Sequence, residues 1–92
     1  MRIDLVLKYL CLVKSRSAAK NLCESDRILA DGRPVRPAAS VRVGERVTIH
    51  FAEHTVTVRI LEIPGKQLSK SAALAYYQLV ERSGDGMSAG EE

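Results

Sequence analysis

Basic side chains recur along the N-terminal part of this chain at intervals that could place them against a row of phosphates. Arginine has a planar set of N–H donors that can bind two phosphate oxygens at once, and lysine supplies a point charge. Arg16 and Lys20 are four residues apart, which puts both on one face of a helix. The candidate residues for binding a polyanion are Arg2, Lys8, Lys14, Arg16, Lys20, Arg27, Arg33 and Arg36.

Charge is distributed unevenly along the 92 residues. The net charge is only +3, but residues 1–46 hold ten basic and five acidic side chains, whereas residues 47–92 hold four basic and six acidic ones. Positive charge therefore belongs to the N-terminal half rather than to the whole surface. A single lysine or arginine is usually just solvated, but ten within 46 residues favour a phosphate-binding face.

Other side chains lack the neighbours that catalysis or metal binding requires. His50 and His54 flank the end of a predicted strand, where a spacing of four does not form a chelating face. Ser15 and Ser17 fit helix caps better than nucleophiles, because no histidine is close in sequence. The sequence contains neither a phosphate-binding loop nor a nucleophile elbow. We therefore predict no enzyme activity, no cofactor and no metal.

Length and composition fit one small domain. A chain of 92 residues that is 46% hydrophobic and 27% charged can form a modest aliphatic core, which excludes a two-domain protein and argues against wholesale disorder. No segment approaches the roughly 20 apolar residues of a membrane span, and no leader pattern opens the chain, so we expect a cytoplasmic protein with no membrane partner. Cys11 and Cys23 lack a CxxC spacing, which favours buried, reduced thiols.

Two helices are predicted at the N-terminus. The first covers residues 3–13, where apolar side chains recur at the spacing of one helix face. The second begins at Arg16 or Ser17, is capped by Ser15 or Ser17, and ends at about Ser25. The apolar face of the first helix consists of Ile3, Val6, Leu7, Leu10 and Val13.

Strands are predicted to follow. Asp31-Gly32 suits a tight turn between residues 28–30 and 33–35, and Pro34 confines the second of these strands to a sheet edge. Alternating apolar residues over 46–51 and 55–60 predict a second hairpin, with its loop at residues 52–54. The apolar pattern over residues 71–81 predicts a final helix, and the glycine-rich residues 83–92 predict a mobile tail.

This order of elements, with specific residues inside them, resembles the S4 RNA-binding domain, the αL motif. The resemblance covers residues 2 to about 51, and the remainder adds no catalytic domain, as in the stand-alone members: the small bacterial heat-shock S4 protein and the ribosome-quality-control S4 proteins. The matching segments are Arg2-Ile3-Asp4-x-x-Leu7, Lys14-Ser15-Arg16-x-x-Ala19-Lys20, Arg27-Ile28, Asp31-Gly32 and Val43-Gly44-Glu45.

The resemblance implies an α+β fold in which two N-terminal helices pack on a small antiparallel sheet with a C-terminal helix. Its parts are an S4 RNA-binding domain with a sheet extension at residues 1–63, a helical segment packed on it at 64–82 and a disordered tail at 83–92. The RNA-contact role carries over to matching positions, with Arg16 the strongest. These positions are Arg2, Lys14, Arg16, Lys20 and Arg27.

The function that the resemblance implies is non-catalytic binding of ribosomal RNA and tRNA. The site of action is the large ribosomal subunit that carries a stalled nascent chain on tRNA, in quality control or recycling. A further expected partner is a quality-control factor that tails the nascent chain, and the expected state is a monomer.

Two other hypotheses remain open at the level of sequence. The chain could target a separate RNA-modifying enzyme to RNA, or it could be a protein-interaction domain that makes contact through Leu5, Tyr9 and Leu12. Relatives tend to carry basic residues at the positions of Leu5, Cys11 and Ser15, and glycine at the position of Asp26. The first three of these differences remove positive charge from the expected face.

Overall fold

A computed structural model describes residues 1–84 and contains three helices and one antiparallel sheet of five strands. The strand order is β2-β1-β3-β4-β5. The predicted α+β class is confirmed. The elements in chain order are α1 (Ile3–Tyr9), α2 (Arg16–Glu24), β1 (Ile28–Ala30), β2 (Arg33–Pro34), β3 (Arg46–His50), β4 (His54–Ile60), α3 (Lys70–Ala73) and β5 (Tyr77–Gly84).

The first helix is shorter than predicted. It ends at Tyr9, and Cys11 has a positive φ of 60°, a left-handed conformation that reverses the chain. The amides of Leu12 and Val13 then donate to the carbonyl of Leu7. The prediction of a helix through Val13 is wrong. Val13 is buried, but it reaches the core from this turn and not from a helix. Its apolar character fits either conformation, so the pattern did not distinguish them.

The second helix is confirmed. The Ser15 hydroxyl accepts a hydrogen bond of 3.0 Å from the amide of Ala18, which satisfies one of the free N–H groups at the helix start. The helix ends at Glu24, and the chain leaves it through Ser25 and a left-handed residue, Asp26, with φ of 59°. The Arg27 amide then donates to the Leu22 carbonyl, so the turn closes without the glycine that is usual at such a position.

Both predicted hairpins are confirmed. Asp31 and Gly32 have φ of 49° and 87°, as a two-residue turn with both φ values positive requires, and β2 lies at one edge of the sheet, where Pro34 needs no ladder partner. Strands β3 and β4 pair antiparallel from Arg46 opposite Arg59 to His50 opposite Thr55. β3 ends at His50 and His54 belongs to β4, so the loop comprises residues 51–53, one position earlier than predicted.

The predicted C-terminal helix over residues 71–81 is wrong beyond Ala73. Only one turn of helix forms, and the chain from Tyr77 pairs with β4 as β5. Pairing satisfies the backbone groups along one side of β4, and a helix there would leave them without partners. The register shifts between Thr57 and Val58, and Leu79 on β5 is 54% exposed.

The proposed boundaries change accordingly. Residues 64–82 are not a helical segment, because they include α3, a connecting turn and most of β5. Ser83 and Gly84 belong to β5 rather than to a tail. The remainder of the predicted tail, residues 85–92, lies outside the described residues.

One core joins the helices to the sheet. Ile3, Leu7 and Leu10 from the N-terminal helix are buried together with Ile28 and Ile49 from the strands. The N-terminal segment also pairs with the loop after β2: the Ile3 amide donates to the Ala39 carbonyl, and the Val41 amide donates to the Met1 carbonyl. This pairing fixes the start of α1 beside residues 36–41.

Candidate nucleic-acid interface

A buried carboxylate lies at the centre of the basic surface. Asp4, in the first turn of α1, is only 1% exposed. Its Oδ1 accepts from Arg2 Nε at 2.9 Å and its Oδ2 from an Arg2 Nη at 3.0 Å, while Arg16 Nε lies 3.3 Å from Oδ2. Asp4 therefore holds together Arg2, the residue before α1, and Arg16, the first residue of α2.

The charge of this carboxylate is stabilised by its partners. Burial acts to raise the pKa of Asp4, but hydrogen bonds from Arg2 and Arg16, together with their positive charges, outweigh it and leave the pKa below its ordinary value. Asp4 is thus ionised at neutral pH. Arg2 and Arg16 keep 41% and 48% of their side-chain surface exposed, so both still face solvent.

Arg16 and Lys20 project from the same face of α2, as their spacing predicts. Together with Arg2, Asp4 and Ser17 they line a surface depression of about 200 Å³. We call Arg2, Asp4, Arg16 and Lys20 the Asp4 cluster. Three cations and one carboxylate leave it with a net positive charge, and the carboxylate is the only one of the four groups that water does not reach.

The basic surface extends toward the loop after β2. A second depression, of about 610 Å³, is lined by Arg2, Lys20 and Arg36, and also by Glu24 and Asp26. Arg36 is close because the start of α1 pairs with residues 37–41, which the sequence alone does not indicate. Arg2 and Lys20 border both depressions, so the two form one continuous surface.

The other predicted residues lie elsewhere. Lys8 and Lys14 border a different depression, and Lys8 Nζ donates to Gln67 Oε1 at 2.9 Å. Arg27 donates to the His50 carbonyl at 3.3 Å. Arg33 is exposed on β2. The structure thus brings Arg2, Arg16, Lys20 and Arg36 together, and it does not place Lys8, Lys14, Arg27 and Arg33 with them.

Sequence analysis missed the function of Asp4. In the sequence alone, Asp4 is an acid in the first turn of a helix, where it suits the helix dipole. The available signal is its position beside Ile3 and three residues before Leu7, on the apolar face of the helix. A charge that must be buried there needs cationic partners, and Arg2 and Arg16 match it.

Residues 1–84 contain no group of three or more histidine, cysteine, aspartate or glutamate side chains suited to a metal ion. Both cysteines are free thiols, and Cys23 is buried. Burial, with the nearby charges of Asp4 and Glu24, raises the pKa of Cys23 to about 11, so its thiol stays protonated at neutral pH. No helix within residues 1–84 is long and apolar enough to cross a bilayer.

Comparison with known families identifies the N-terminal half. Residues 1–47 match the family model of the S4 domain. This segment contains the whole Asp4 cluster, Arg36 and the first hairpin.

Similar proteins extend the match through most of the chain. A protein from Bacillus subtilis named "RQC P-site tRNA stabilizing factor" is 32% identical over 81 residues, which cover 88% of this chain and 94% of that protein. A protein of the same name from Halalkalibacterium halodurans is 33% identical over 76 residues, covering 83% and 86% of the two chains. Heat shock protein 15 from Vibrio cholerae, solved as a trimer, superposes with a TM-score of 0.81 at 25% identity over 87% of this chain and 81% of that one.

Proposed function

This chain belongs to the S4 domain family, and on that basis we propose that it binds ribosomal RNA and tRNA without catalysing a reaction. The relatives' name supports an action on P-site tRNA in ribosome quality control. The proposed site of action is the large ribosomal subunit that carries a stalled nascent chain on tRNA. Its location is then the cytoplasm.

The Asp4 cluster is the observation that carries this proposal. Asp4 binds the Nε atom of Arg16, and within residues 1–84 the Nη groups of Arg16 have no hydrogen-bond acceptor. A guanidinium fixed through Nε directs its two Nη groups outward, in the arrangement that binds two phosphate oxygens. Because the side chain is already positioned, less conformational entropy is lost when RNA binds.

Folded RNA is the ligand that this surface suits. Structured RNA is recognised mainly by its shape and by its phosphates and sugars, which need a rigid surface of cations. Arg2, Arg16, Lys20 and Arg36 supply four cations around two adjoining depressions. We propose these four as the principal RNA contacts, and Lys8, Lys14, Arg27 and Arg33 as peripheral ones.

We further propose that the protein acts as a monomer beside a factor that tails the stalled nascent chain. The structural neighbour was solved as a trimer. In this chain the exposed edge strand β5 carries the charged residues Glu81 and Arg82 and a register shift, both of which disfavour pairing between sheet edges. Sedimentation equilibrium of the purified chain measures the oligomeric state directly.

Sedimentation through a sucrose gradient tests the function. We expect the full chain to comigrate with free large subunits, more strongly after translation is stalled, and the Arg16→Ala variant to lose this association. Arg42→Ala is the matched control, because Arg42 is an exposed arginine that borders neither depression. Comigration with an RNA-modifying enzyme instead, or binding that does not depend on Arg16, contradicts the proposal.

A further inference from the structure

A second concave surface lies where the turn after α1 meets the β3–β4 hairpin. It consists of two adjoining depressions of about 460 and 440 Å³ that share Cys11, Leu12 and Phe51. We call this surface the Phe51 groove. None of the residues of the Asp4 cluster lines it, so it is a separate feature of the molecule.

The rim of the Phe51 groove is basic. Lys8 and Lys14 border one depression, and Lys70 and Arg82 border the other. Among residues 1–84, no aspartate or glutamate lines either depression. This differs from the surface beside Arg36, where Glu24 and Asp26 offset part of the charge. The groove therefore favours an anionic ligand.

The lining of the groove is apolar and partly aromatic. The rings of Phe51 and His54 stack with centroids 4.8 Å apart and planes at 24°. The backbone holds this pair in place, because the Phe51 amide donates to the His54 carbonyl at 2.8 Å. Leu12 and Val56 add aliphatic surface. A flat apolar surface beneath a basic rim suits a ligand that has a planar ring system and an anionic group.

The walls of the groove are fixed before any ligand binds. The left-handed Cys11 directs its Sγ atom to the Leu68 carbonyl at 3.2 Å, and the Leu68 amide donates to the Tyr9 carbonyl at 3.2 Å. Gln67 Nε2 also donates to the Leu68 carbonyl, while Gln67 Oε1 accepts from Lys8. These bonds tie residues 67 and 68 to the end of α1, so the groove needs little rearrangement to bind.

We propose that the Phe51 groove binds one unpaired nucleotide of RNA, with its base against Phe51 and Leu12 and its phosphates near Lys14 and Lys70. Unpaired bases characteristically stack on aromatic side chains and are anchored by cations. An acidic peptide would match the charge but would not require a flat ring. This inference rests on the proposed RNA binding and adds a site that binds an unpaired nucleotide.

The position of the groove allows one RNA to reach both sites. Lys14 on the groove rim and Arg16 in the Asp4 cluster are two residues apart, which limits their Cα atoms to about 7 Å of separation. A folded RNA held by Arg16 could therefore place an adjacent unpaired nucleotide in the groove. Duplex RNA alone would leave the groove unused.

Three fluorescein-labelled RNA hairpins test this proposal with the full chain by fluorescence anisotropy. One hairpin is blunt, one carries a short unpaired 3′ extension of adenosines, and one carries the same extension without bases. We expect the adenosine extension to tighten binding about fivefold or more relative to the blunt hairpin. The abasic extension should recover only the smaller, salt-dependent part of this gain.

Variants locate the effect. Phe51→Leu retains apolar volume but removes the ring, and we expect it to reduce the gain to about twofold or less without weakening blunt-hairpin binding. Lys70→Glu should also reduce the gain, whereas Lys66→Glu, an equal change at an exposed lysine outside the groove, should not. Circular dichroism checks folding, and the lysine pair decides the outcome if Phe51→Leu does not fold.

The two proposals fail in different ways. Arg16→Ala should weaken binding of all three hairpins and leave the ratios of their affinities unchanged. If Arg16→Ala binds the blunt hairpin as tightly as the wild type does, the proposed function is refuted. A wild-type ratio near one overturns the inference about the groove. So does a gain that survives both Phe51→Leu and Lys70→Glu, or that the abasic extension reproduces in full.

Discussion

A single buried acid organises the basic face of this protein. Removing a carboxylate from water is costly unless cations and hydrogen bonds compensate, and Asp4 is compensated by Arg2 and Arg16. The two arginines remain close to half exposed, so each can contact Asp4 on one side and RNA on the other. The acid lowers the net charge of the cluster by one but fixes the directions of two guanidinium groups.

The lowered pKa of Asp4 predicts a pH-dependent stability. A carboxyl group whose pKa is lower in the folded state stabilises the fold above its unfolded pKa, ordinarily 3.8, and this contribution is lost as pH falls through the folded value. We expect Asp4→Asn to lower the free energy of unfolding by about 1–3 kcal/mol at neutral pH. The free energy of unfolding of Asp4→Asn should also decline less than that of the wild type as the pH falls below 3.8, the ordinary pKa of an aspartate.

Urea denaturation at neutral pH and at several pH values through this acidic range measures both effects. Glu53→Gln is the control, because Glu53 is an exposed acid in the β3–β4 loop. The free energy of unfolding of Glu53→Gln should depend on pH as that of the wild type does. Parallel curves for Asp4→Asn and the wild type would show that Asp4 does not contribute through its charge.

At the scale of elements, the turn between α1 and α2 positions both candidate surfaces. Cys11 turns the chain away from α1 and borders the Phe51 groove. Ser15 caps the start of α2 and so fixes the position of Arg16. A helix of nine residues is marginal by itself, so its cap and its packing decide whether it forms. Ala19 and Cys23 supply the packing and Ser15 supplies the cap.

Loss of the Ser15 cap should weaken the domain measurably. We expect Ser15→Ala to destabilise it by about 1 kcal/mol, which lowers the melting temperature by roughly 4–8 °C in a domain of this size. Ser17→Ala provides the matched control, because Ser17 is exposed inside α2 and makes no capping hydrogen bond. Thermal unfolding followed by circular dichroism should separate the variants, and equal melting temperatures would contradict the assigned cap.

At the scale of the whole molecule, the positive charge and the S4 domain coincide. Residues 1–47 match the family, and the ten basic residues of the first half fall within them. Residues 47–92 hold six acidic and four basic side chains, and their strands β4 and β5 complete the sheet. Four of the basic residues of the first half, Arg2, Arg16, Lys20 and Arg36, form one positive surface that favours a polyanion while the net charge stays low.

This positive surface predicts strongly salt-dependent binding. If four cations neutralise four phosphates, the logarithm of the association constant for the blunt hairpin should fall with the logarithm of salt concentration with a slope of about −3 to −4. Arg16→Ala should flatten the slope by about one, and Arg42→Ala should leave it unchanged. A slope that is the same for Arg16→Ala and the wild type would exclude a phosphate contact by Arg16.

Local patterns in the sequence were sufficient to predict the second helix, both hairpins and the placement of Arg16 and Lys20 on one helix face. Each depends on neighbours within a few residues: a serine cap, an Asp-Gly turn, an apolar alternation or a helical spacing. The family resemblance also rested on such short segments.

Tertiary structure decided the rest, because the relevant partners are distant in sequence or change the conformation that a pattern implies. Residues 71–81 have an apolar pattern compatible with a helix, but β4 offered an unpaired edge and the segment from Tyr77 onward became part of β5. Arg36 joined Arg2 only through pairing across more than thirty residues of chain. Asp4 acquired its role, and Phe51 its place beside the lysines, only when separate elements packed together.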